Sequence, residues 1–291
     1  MSLKVRSRRF MARYFGFLAE LVYWIKINST TFKNPPIIII TPGKVGSSSV
    51  WSTLKKETNN AVYHIHQLSK EGVEGGISRN LNSARKSRPL HLIIAKQLRK
   101  RLKRYDGDMY IITLVREPIS RVVSSFFQNT ELYKNEVENK KLKIDIEESK
   151  KIVTTMLQNN ICGEVEQWFD KEIKENFGID VFAQNFDELN KYVITHNGRY
   201  HHLLLKMEDL NKVFPRAIKD FLNLDSELEL HNTNIGQSKH YAEAYNEVKN
   251  MIKLDSNELE HIVNSKYFQH FYKDQESNVK KKWIKLSGMV Q

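Results

Sequence analysis

The sequence predicts an α/β fold in which helices flank a central parallel sheet, extended by additional helices. Two observations lead to this prediction. Segments with strand patterns alternate with segments with helical patterns, and the strand segments are apolar throughout, as in a parallel sheet covered on both faces. The first of them ends at a turn with glycine and serine that opens a helix, an arrangement that can bind phosphate.

The pattern assigns most of the chain to strands or helices. The expected strands are 37–41, 61–67, 90–96, 109–115 and 202–206. The expected helices are 47–58, 118–130 and 213–222, and helical patterns also cover 133–175 and 241–272. Ligands of parallel sheets bind at the carboxyl ends of the strands, so the turns that hold Lys44 and Arg116 are the expected ligand site.

Composition gives the expected domains and partners. Residues 1–33 read as a basic amphipathic helix, 34–275 as one α/β domain and 276–291 as a basic tail that is mobile or loosely docked. The net charge of +12 favours an anionic partner, which leaves nucleic acid, a membrane surface, an acidic glycan or a polyphosphate ligand open. The single cysteine, Cys162, excludes an internal disulfide and favours a reducing, cytoplasmic location.

The N-terminal helix has two open interpretations. Its apolar run, 15–27, contains Glu20 and Lys26 and is too short for a confident transmembrane assignment. Apolar side chains recur at helical spacing, namely Phe10, Tyr14, Phe17, Leu18, Leu21 and Trp24. This stripe either docks the helix on its own domain or attaches it to an anionic membrane surface.

The turn after the first strand is a candidate phosphate loop. It reads Gly43-Lys44-Val45-Gly46-Ser47-Ser48-Ser49, with no glycine-lysine-serine or glycine-lysine-threonine step of a Walker A loop. The amides of residues 46–49 can point at an anion from a helix N-terminus, and Lys44 supplies a full charge. The alternative is an ordinary capped helix start.

A second candidate site follows the 109–115 strand. In LVREPISRVVSSFFQN, residues 114–129, Arg116 stands at the strand end and Ser124 lies two turns into the next helix. Arginine can donate two hydrogen bonds to a phosphate, and the serine hydroxyl can add another. The alternatives are that Arg116 pairs with Glu117 or caps structure and that Ser124 faces solvent.

Together the two units resemble the sulfotransferases that use 3′-phosphoadenosine 5′-phosphosulfate (PAPS). The resemblance covers about 36–130 and, to a lesser extent, about 200–225, which includes LLLKMEDL, 203–210. The segments NIGQSKHYAEAY, 234–245, and NSKYFQHFY, 264–272, are similar to bacterial proteins of capsular polysaccharide synthesis. The resemblance implies a P-loop-NTPase-like sulfotransferase architecture, PAPS as co-substrate, 3′,5′-adenosine bisphosphate as product and no metal.

The resemblance also assigns roles to residues. The first loop would bind the 5′-phosphosulfate, with Lys44 at the bridging oxygen, and Arg116 and Ser124 would hold the 3′-phosphate. Lys239 and Tyr241 could close over the 3′-phosphate and adenine, although Tyr241 could equally belong to the core. Lys96, expected at the end of the 90–96 strand, could steady the sulfuryl oxygens or could be a surface lysine.

Transfer to a hydroxyl requires a general base, for which His64 and His66 are the candidates. Residues two apart on a strand face the same side, so both imidazoles can face the cleft beside the phosphate loop. His66 is favoured because it lies closer to the carboxyl end of the strand. The alternatives are a hydrogen-bonded structural pair or a metal pair, for which the sequence offers no convincing third ligand.

The sequence therefore predicts transfer of a sulfuryl group from PAPS to a carbohydrate hydroxyl, on a capsular or cell-surface glycan. The basic run Lys96, Arg99, Lys100, Arg101, Lys103 and Arg104 is either a solvated helix face or a platform for an acidic acceptor. One alternative function is a Mg²⁺-dependent kinase. The other is a non-enzymatic basic module that binds nucleic acid or an anionic membrane.

Overall fold

The computed structural model describes residues 16–82, 88–134, 145–232 and 241–284. The five strands are β1 Ile37–Ile40, β2 Val62–Ile65, β3 Met109–Val115, β4 Tyr192–Asn197 and β5 Tyr200–Lys206. The first helices are α1 Gly16–Ser29, α2 Ser47–Glu57, α3 Lys70–Asn82, α4 Leu90–Leu102 and α5 Pro118–Lys134. The later helices are α6 Ile146–Leu157, α7 Ile161–Phe169, α8 Glu175–Phe177, α9 Leu210–Leu222, α10 Ala242–Met251, α11 Ser256–Val263, α12 Lys266–Phe271 and α13 Glu276–Trp283. A π-helical turn, Asp170–Lys174, joins α7 to α8, and a 3₁₀ turn, Lys273–Gln275, precedes α13.

The strands form one sheet in the order β2-β1-β3-β5-β4. β1 is parallel to β2 and to β3, and its four isoleucines are fully buried, as expected for a central strand covered on both faces. β4 and β5 form an antiparallel hairpin. The predicted α/β class, with a mostly parallel central sheet flanked by helices, is confirmed and is consistent with a P-loop-like fold. The carboxyl ends of β1, β2 and β3 share one edge of the sheet.

The described residues form two compact units. The sheet unit lies within Met1–Pro42, Gly46–Leu114 and Trp168–His231. The helical unit lies within Gly43–Val45, Val115–Gln167 and Asn232–Gln291. In the sheet unit, α1 and α3 pack against α4, and α2 and α4 pack against β2. In the helical unit, α5 and α6 pack with α10, and α11 packs with α12 and α13.

The strand predicted at 90–96 is wrong, because this segment is the start of helix α4. Its buried side chains include Leu92, Ala95, Leu98 and Leu102, which recur at helical rather than strand spacing. A short apolar run does not distinguish a buried strand from a helix, and here the helix-forming residues that follow the run decide the outcome. Lys96 therefore does not end a strand.

Two other expectations also need correction. β4 was missed, although the Asn197-Gly198 step before β5 is a hairpin signal and Gly198 adopts a positive φ of 54°. The tail was expected to be mobile or loosely docked, but 276–283 form α13, in which Val279 and Trp283 are buried. The domain boundaries at 33 and 275 stay a prediction.

Candidate functional site

The predicted phosphate loop has a backbone shaped by three residues with positive φ. Gly43 has a φ of 80°, Lys44 of 64° and Gly46 of 81°. A lysine in this left-handed region carries strain of about 1–2 kcal/mol. Gly46 immediately precedes α2, and its carbonyl accepts a hydrogen bond from the amide of Ser49 at 3.1 Å. The loop thus opens a helix N-terminus, where anions are stabilised.

Gly46 also makes close contacts that a side chain would disturb. A Cβ atom at this position would lie 3.3 Å from Cδ2 of Leu210 and 3.4 Å from Cγ of Met207. Both contacts come from the segment LLLKMEDL, which was singled out in the sequence for its resemblance. Gly46 of the first loop and this segment therefore meet within the sheet unit.

The serines of the loop are partly buried at the start of α2. Ser47 and Ser49 are buried and Ser48 is half-buried, while Val45 is fully buried. The hydroxyl of Thr41 donates to Ser47 Oγ at 3.3 Å, and Ser47 Oγ lies 2.8 Å from Nε2 of His64. Because Ser47 Oγ accepts from Thr41, the Ser47 hydroxyl can donate its own proton to Nε2 of His64.

The two predicted histidines lie together at the end of β2, with a third that the sequence did not single out. The rings of His64 and His66 are 5.1 Å apart, and the ring of His91 on α4 lies 6.0 Å from that of His66. We call these three residues the histidine cluster. His91 was missed because its segment was assigned to a strand. Among the described residues, no group of three or more His, Cys, Asp or Glu could hold a metal ion.

The environments of the three imidazoles differ. Burial, followed by positive charge on His66 and on His91, lowers the pKa of His64 to about 3. Burial and the charge of His66 lower the pKa of His91 to about 4. The rings of His64 and His91 are therefore neutral near neutral pH.

Hydrogen bonds determine the tautomer of His66. Its Nδ1 lies 2.9 Å from the carbonyl oxygen of Thr41, which can only accept, so Nδ1 carries the proton. In the neutral ring Nε2 then holds the lone pair. The indole Nε1–H of Trp168 donates to the carbonyl of His66 at 2.8 Å and holds the end of β2 in place.

In the helical unit, the two predicted phosphate elements are in contact. Arg116 Nη1 donates to the carbonyl oxygen of Lys44 at 3.0 Å. The Tyr267 hydroxyl donates to the Arg116 carbonyl at 2.9 Å and accepts from the Arg116 amide at 3.2 Å, which fixes the turn after β3. Lys44 Nζ donates to the amide oxygen of Gln128, a partner without charge.

Arg116 belongs to a cluster of cations around Tyr245, which we call the tyrosine–cation cluster: Arg116, Tyr245, Lys249 and Lys282. Arg116 Nη2 lies 3.5 Å from the Tyr245 hydroxyl, and Lys249 Nζ lies 5.7 Å from the centre of the Tyr245 ring. Partial burial lowers the pKa of Lys282; Glu117 and Tyr245 oppose this effect, whereas Lys249 and Arg116 add to it. Three cations thus share one region.

Glu117 does not pair with the Arg116 guanidinium. Its buried carboxylate accepts from the amides of Ile119 at 2.8 Å and Ser120 at 3.0 Å, and from the Ser120 hydroxyl. It caps the start of α5, where Pro118 occupies the first turn. Within the described residues, none of the three cluster cations forms an ion pair with a carboxylate, so this region favours an anion.

Three other predicted site residues lie within the described structure, and a fourth lies outside it. Ser124 is half-buried on α5, and Tyr241 is buried against the ring of Phe127 at 5.7 Å, as in a core contact. Lys96 lies on α4 with its Nζ 3.0 Å from the carboxylate of Glu20. Lys239 lies outside the described residues.

A cavity of about 390 Å³ in the sheet unit is lined by five basic side chains together with the carboxylates of Glu71 and Glu175. Its lining includes Lys70, Arg99, Lys103, Lys171, Arg199 and Tyr200. The Arg199 side chain donates to backbone carbonyls and to the Tyr200 hydroxyl, and Lys171 lies 3.8 Å from Glu71. Among the described residues, Lys70, Arg99 and Lys103 have no ion-pair partner. We call this the basic cavity.

The basic side chains of α4 therefore do not all have the same surroundings. Arg99 and Lys103 line the basic cavity. Arg101 instead donates to the carbonyl of Thr30 at 3.2 Å and lies 5.2 Å from the centre of the Phe32 ring. The run is neither a uniform solvated face nor a uniform platform.

Comparison with known proteins gives one match. The NKWYS family model, described as "Putative capsular polysaccharide synthesis protein", matches residues 141–273, slightly less than half of the chain. No curated protein and no solved structure shows significant similarity. The match includes the segments at 234–245 and 264–272 that suggested capsular polysaccharide synthesis. It covers neither the phosphate loop nor Arg116, although it does cover Tyr245 and Lys249 of the tyrosine–cation cluster.

Proposed function

We propose that the protein is a sulfotransferase that moves a sulfuryl group from PAPS to a hydroxyl of a carbohydrate, in capsular or cell-surface polysaccharide synthesis. The observation that carries the proposal is the hydrogen bond from Arg116 to the Lys44 carbonyl. It links the loop proposed for the 5′-phosphosulfate with the arginine proposed for the 3′-phosphate. A ligand with two separated phosphate groups suits such a pair.

The tyrosine–cation cluster supports a specific set of contacts to the 3′-phosphate. Arg116 would donate two hydrogen bonds, Lys249 and Lys282 would add charge, and the Tyr245 hydroxyl would add a donor. An anion bound here would relieve the repulsion among three cations. Ser124 and Lys239 keep the roles that the resemblance implies.

At the phosphate loop, the amides at the start of α2 would bind the oxygens of the 5′-phosphosulfate. Lys44 and Ser47 are three residues apart, so their Cα atoms lie within about 11 Å of each other in any conformation. The acceptor oxygen attacks sulfur, and the bond between sulfur and the bridging oxygen breaks. Lys44 stabilises the charge that develops on the departing phosphate, which leaves as 3′,5′-adenosine bisphosphate.

His66 is the proposed general base. The lone pair on its Nε2 can take the acceptor proton, because Nδ1–H is held by the Thr41 carbonyl. His64 suits this task less, since a pKa of about 3 makes its ring a weak base and its Nε2 contacts Ser47. His64 would instead orient the Ser47 hydroxyl.

The basic cavity is the proposed binding region for the acceptor. Lys70, Arg99 and Lys103 would attract carboxylates or other anions of an acidic glycan, and Tyr200 offers a ring on which a sugar can pack. Leu68 in its lining follows His66 by two residues, so the cavity begins close to the proposed base.

The proposal is tested first by thermal-shift titration with 3′,5′-adenosine bisphosphate, beside ADP with and without Mg²⁺. A ligand that binds only the folded state raises the melting temperature with its concentration. We expect a Mg²⁺-independent shift with the bisphosphate alone. A shift only with Mg²⁺ and ADP would instead indicate a kinase, and no shift with either would indicate the basic binding module.

Single substitutions distinguish binding by the tyrosine–cation cluster from a general effect of positive surface charge. Arg116→Ala and Lys249→Ala should each weaken bisphosphate binding about tenfold or more, because each removes a charged contact worth about 1.5–3 kcal/mol. Lys281→Ala removes an exposed lysine next to Lys282 and should leave the affinity unchanged. Equal affinities in all three variants would contradict the assignment.

Activity is then measured as transfer of labelled sulfate from PAPS to polysaccharides. His66→Gln should lower turnover while bisphosphate binding persists, which distinguishes loss of the base from loss of the nucleotide site. Arg99→Ala with Lys103→Ala should raise KM for an acidic acceptor more than for a neutral one. Full turnover in His66→Gln would exclude it as the base.

A further inference from the structure

The outer face of α1 is an exposed apolar surface that the proposed function does not use. Phe17 is 77% exposed, Ile25 52% and Trp24 50%. Within the described part of the chain, six of the nine exposed large apolar side chains lie on this helix: Phe17, Leu18, Leu21, Val22, Trp24 and Ile25. A contiguous patch of this kind marks an interaction site, whereas single exposed apolar residues are ordinary.

The opposite side of α1 is docked on the sheet unit. Ala19 and Ile27 are buried there. Glu20, the only acidic residue of the helix, accepts from Arg88 Nη1 at 2.7 Å and from Lys96 Nζ at 3.0 Å. Four residues of the expected stripe, Phe17, Leu18, Leu21 and Trp24, therefore face away from the domain, because the smaller Ala19 and the ion-paired Glu20 occupy the contact side. The other two, Phe10 and Tyr14, lie outside the described residues.

The sequence that precedes this face is positively charged. Residues 1–19 contain Lys4 and four arginines, Arg6, Arg8, Arg9 and Arg13, and no acidic residue. Lys26 on the helix is exposed, and Glu20 is neutralised by its two cationic partners. An apolar face beside a basic segment is complementary to a surface that is apolar inside and anionic outside.

We propose that the outer face of α1 docks the protein on an anionic lipid bilayer, with the helix parallel to the membrane plane. The apolar side chains would enter the boundary between headgroups and acyl chains, with Trp24 at headgroup level, while the preceding basic segment binds anionic headgroups. The docked side keeps its contacts with α4. A second copy of the chain is a poorer occupant, because it would bring two basic segments together.

The experiment is vesicle flotation with the full chain. Vesicles of phosphatidylcholine mixed with phosphatidylglycerol are compared with vesicles of phosphatidylcholine alone. We expect binding to the anionic vesicles that weakens with added salt. The triple variant Phe17→Ser, Leu21→Ser and Ile25→Ser should lose about tenfold or more in partition coefficient. The control replaces two exposed apolar residues elsewhere, Ile152→Ser and Leu189→Ser, and should bind as the wild type does.

Trp24 provides a readout that needs no triple variant. The difference in fluorescence between the wild type and Trp24→Phe should shift to the blue on anionic vesicles. Absence of binding by the wild type, or equal binding by the triple variant, would overturn the proposal. So would equal binding to both kinds of vesicle, or a dimer in analytical ultracentrifugation that the triple variant abolishes. These outcomes do not depend on bisphosphate binding.

Discussion

Acid should unfold this protein through two buried histidines. The pKa of His64 lies at about 3, compared with an ordinary value of 6.5, because burial disfavours the charged ring. Burial lowers the pKa of His202 to about 3 as well, and its Nε2 lies 2.8 Å from the Thr113 hydroxyl. Both folded values are depressed, so unfolding takes up protons. The stabilisation is fully present above the unfolded value of 6.5 and is lost as the pH falls toward 3.

The magnitude follows from the two pKa values. At about pH 5 each unfolded histidine is mostly protonated while its folded counterpart is neutral, which costs about 2 kcal/mol per group relative to about pH 8. Two groups lose about 4 kcal/mol, a large part of a typical total of about 5–15 kcal/mol. His91 adds less, because this residue is exposed to solvent.

Urea unfolding followed by circular dichroism at several pH values measures this loss. His202→Gln keeps a group that can bond to Thr113 but does not titrate, so its loss between about pH 8 and about pH 5 should be smaller by about 2 kcal/mol. His261→Gln changes an exposed imidazole and should follow the wild type. An unchanged pH dependence in His202→Gln, or a wild-type stability that does not fall below about pH 6.5, would refute the reasoning.

Three further substitutions test individual contacts through the free energy of unfolding. Gly46→Ala should lower the free energy of unfolding by about 1–2 kcal/mol or more, because alanine is strained at a φ of 81° and its Cβ meets Leu210. An unchanged free energy of unfolding would contradict the positive φ of Gly46. Glu172→Gln should cost about 2–4 kcal/mol, since the buried carboxylate accepts two amides and the Ser69 hydroxyl at the start of α3. Glu175→Gln is the nearby control. Tyr267→Phe should cost about 1–3 kcal/mol by removing both bonds to the Arg116 backbone, with Tyr23→Phe as the control.

The sheet could be predicted from the sequence where apolar runs were bounded by turn residues. The run at Ile37–Ile40 lies between a double proline and a glycine-containing turn, so strand length and position were both indicated. The segment at Leu90–Leu102 carried no such bound, because its apolar run continues into helix-forming residues. Only packing against β2 and α1 shows which side of this segment is buried.

The candidate site shows the same division. The phosphate loop and Arg116 could be identified because each follows a strand within a short stretch of sequence. Lys249 and Lys282 could not, since they lie far along the chain from Arg116. Lys249 lies one helical turn from Tyr245 on α10, but only the packing of the helical unit brings these residues and Lys282 close to Arg116. No local pattern distinguishes them from the many other lysines of this basic chain.

The assignment of roles to His64 and His66 depends on tertiary contacts in the same way. The sequence places the two residues on one side of the predicted strand and favours His66 only because it lies closer to the carboxyl end. The fold then separates them: Ser47 contacts Nε2 of His64, whereas the Thr41 carbonyl accepts from Nδ1 of His66. The first contact occupies the nitrogen that a base would use, and the second leaves the lone pair on the other nitrogen. A shift of one residue in the register of β2 would remove both contacts, so the chemistry proposed for His66 depends on the pairing of β1 with β2.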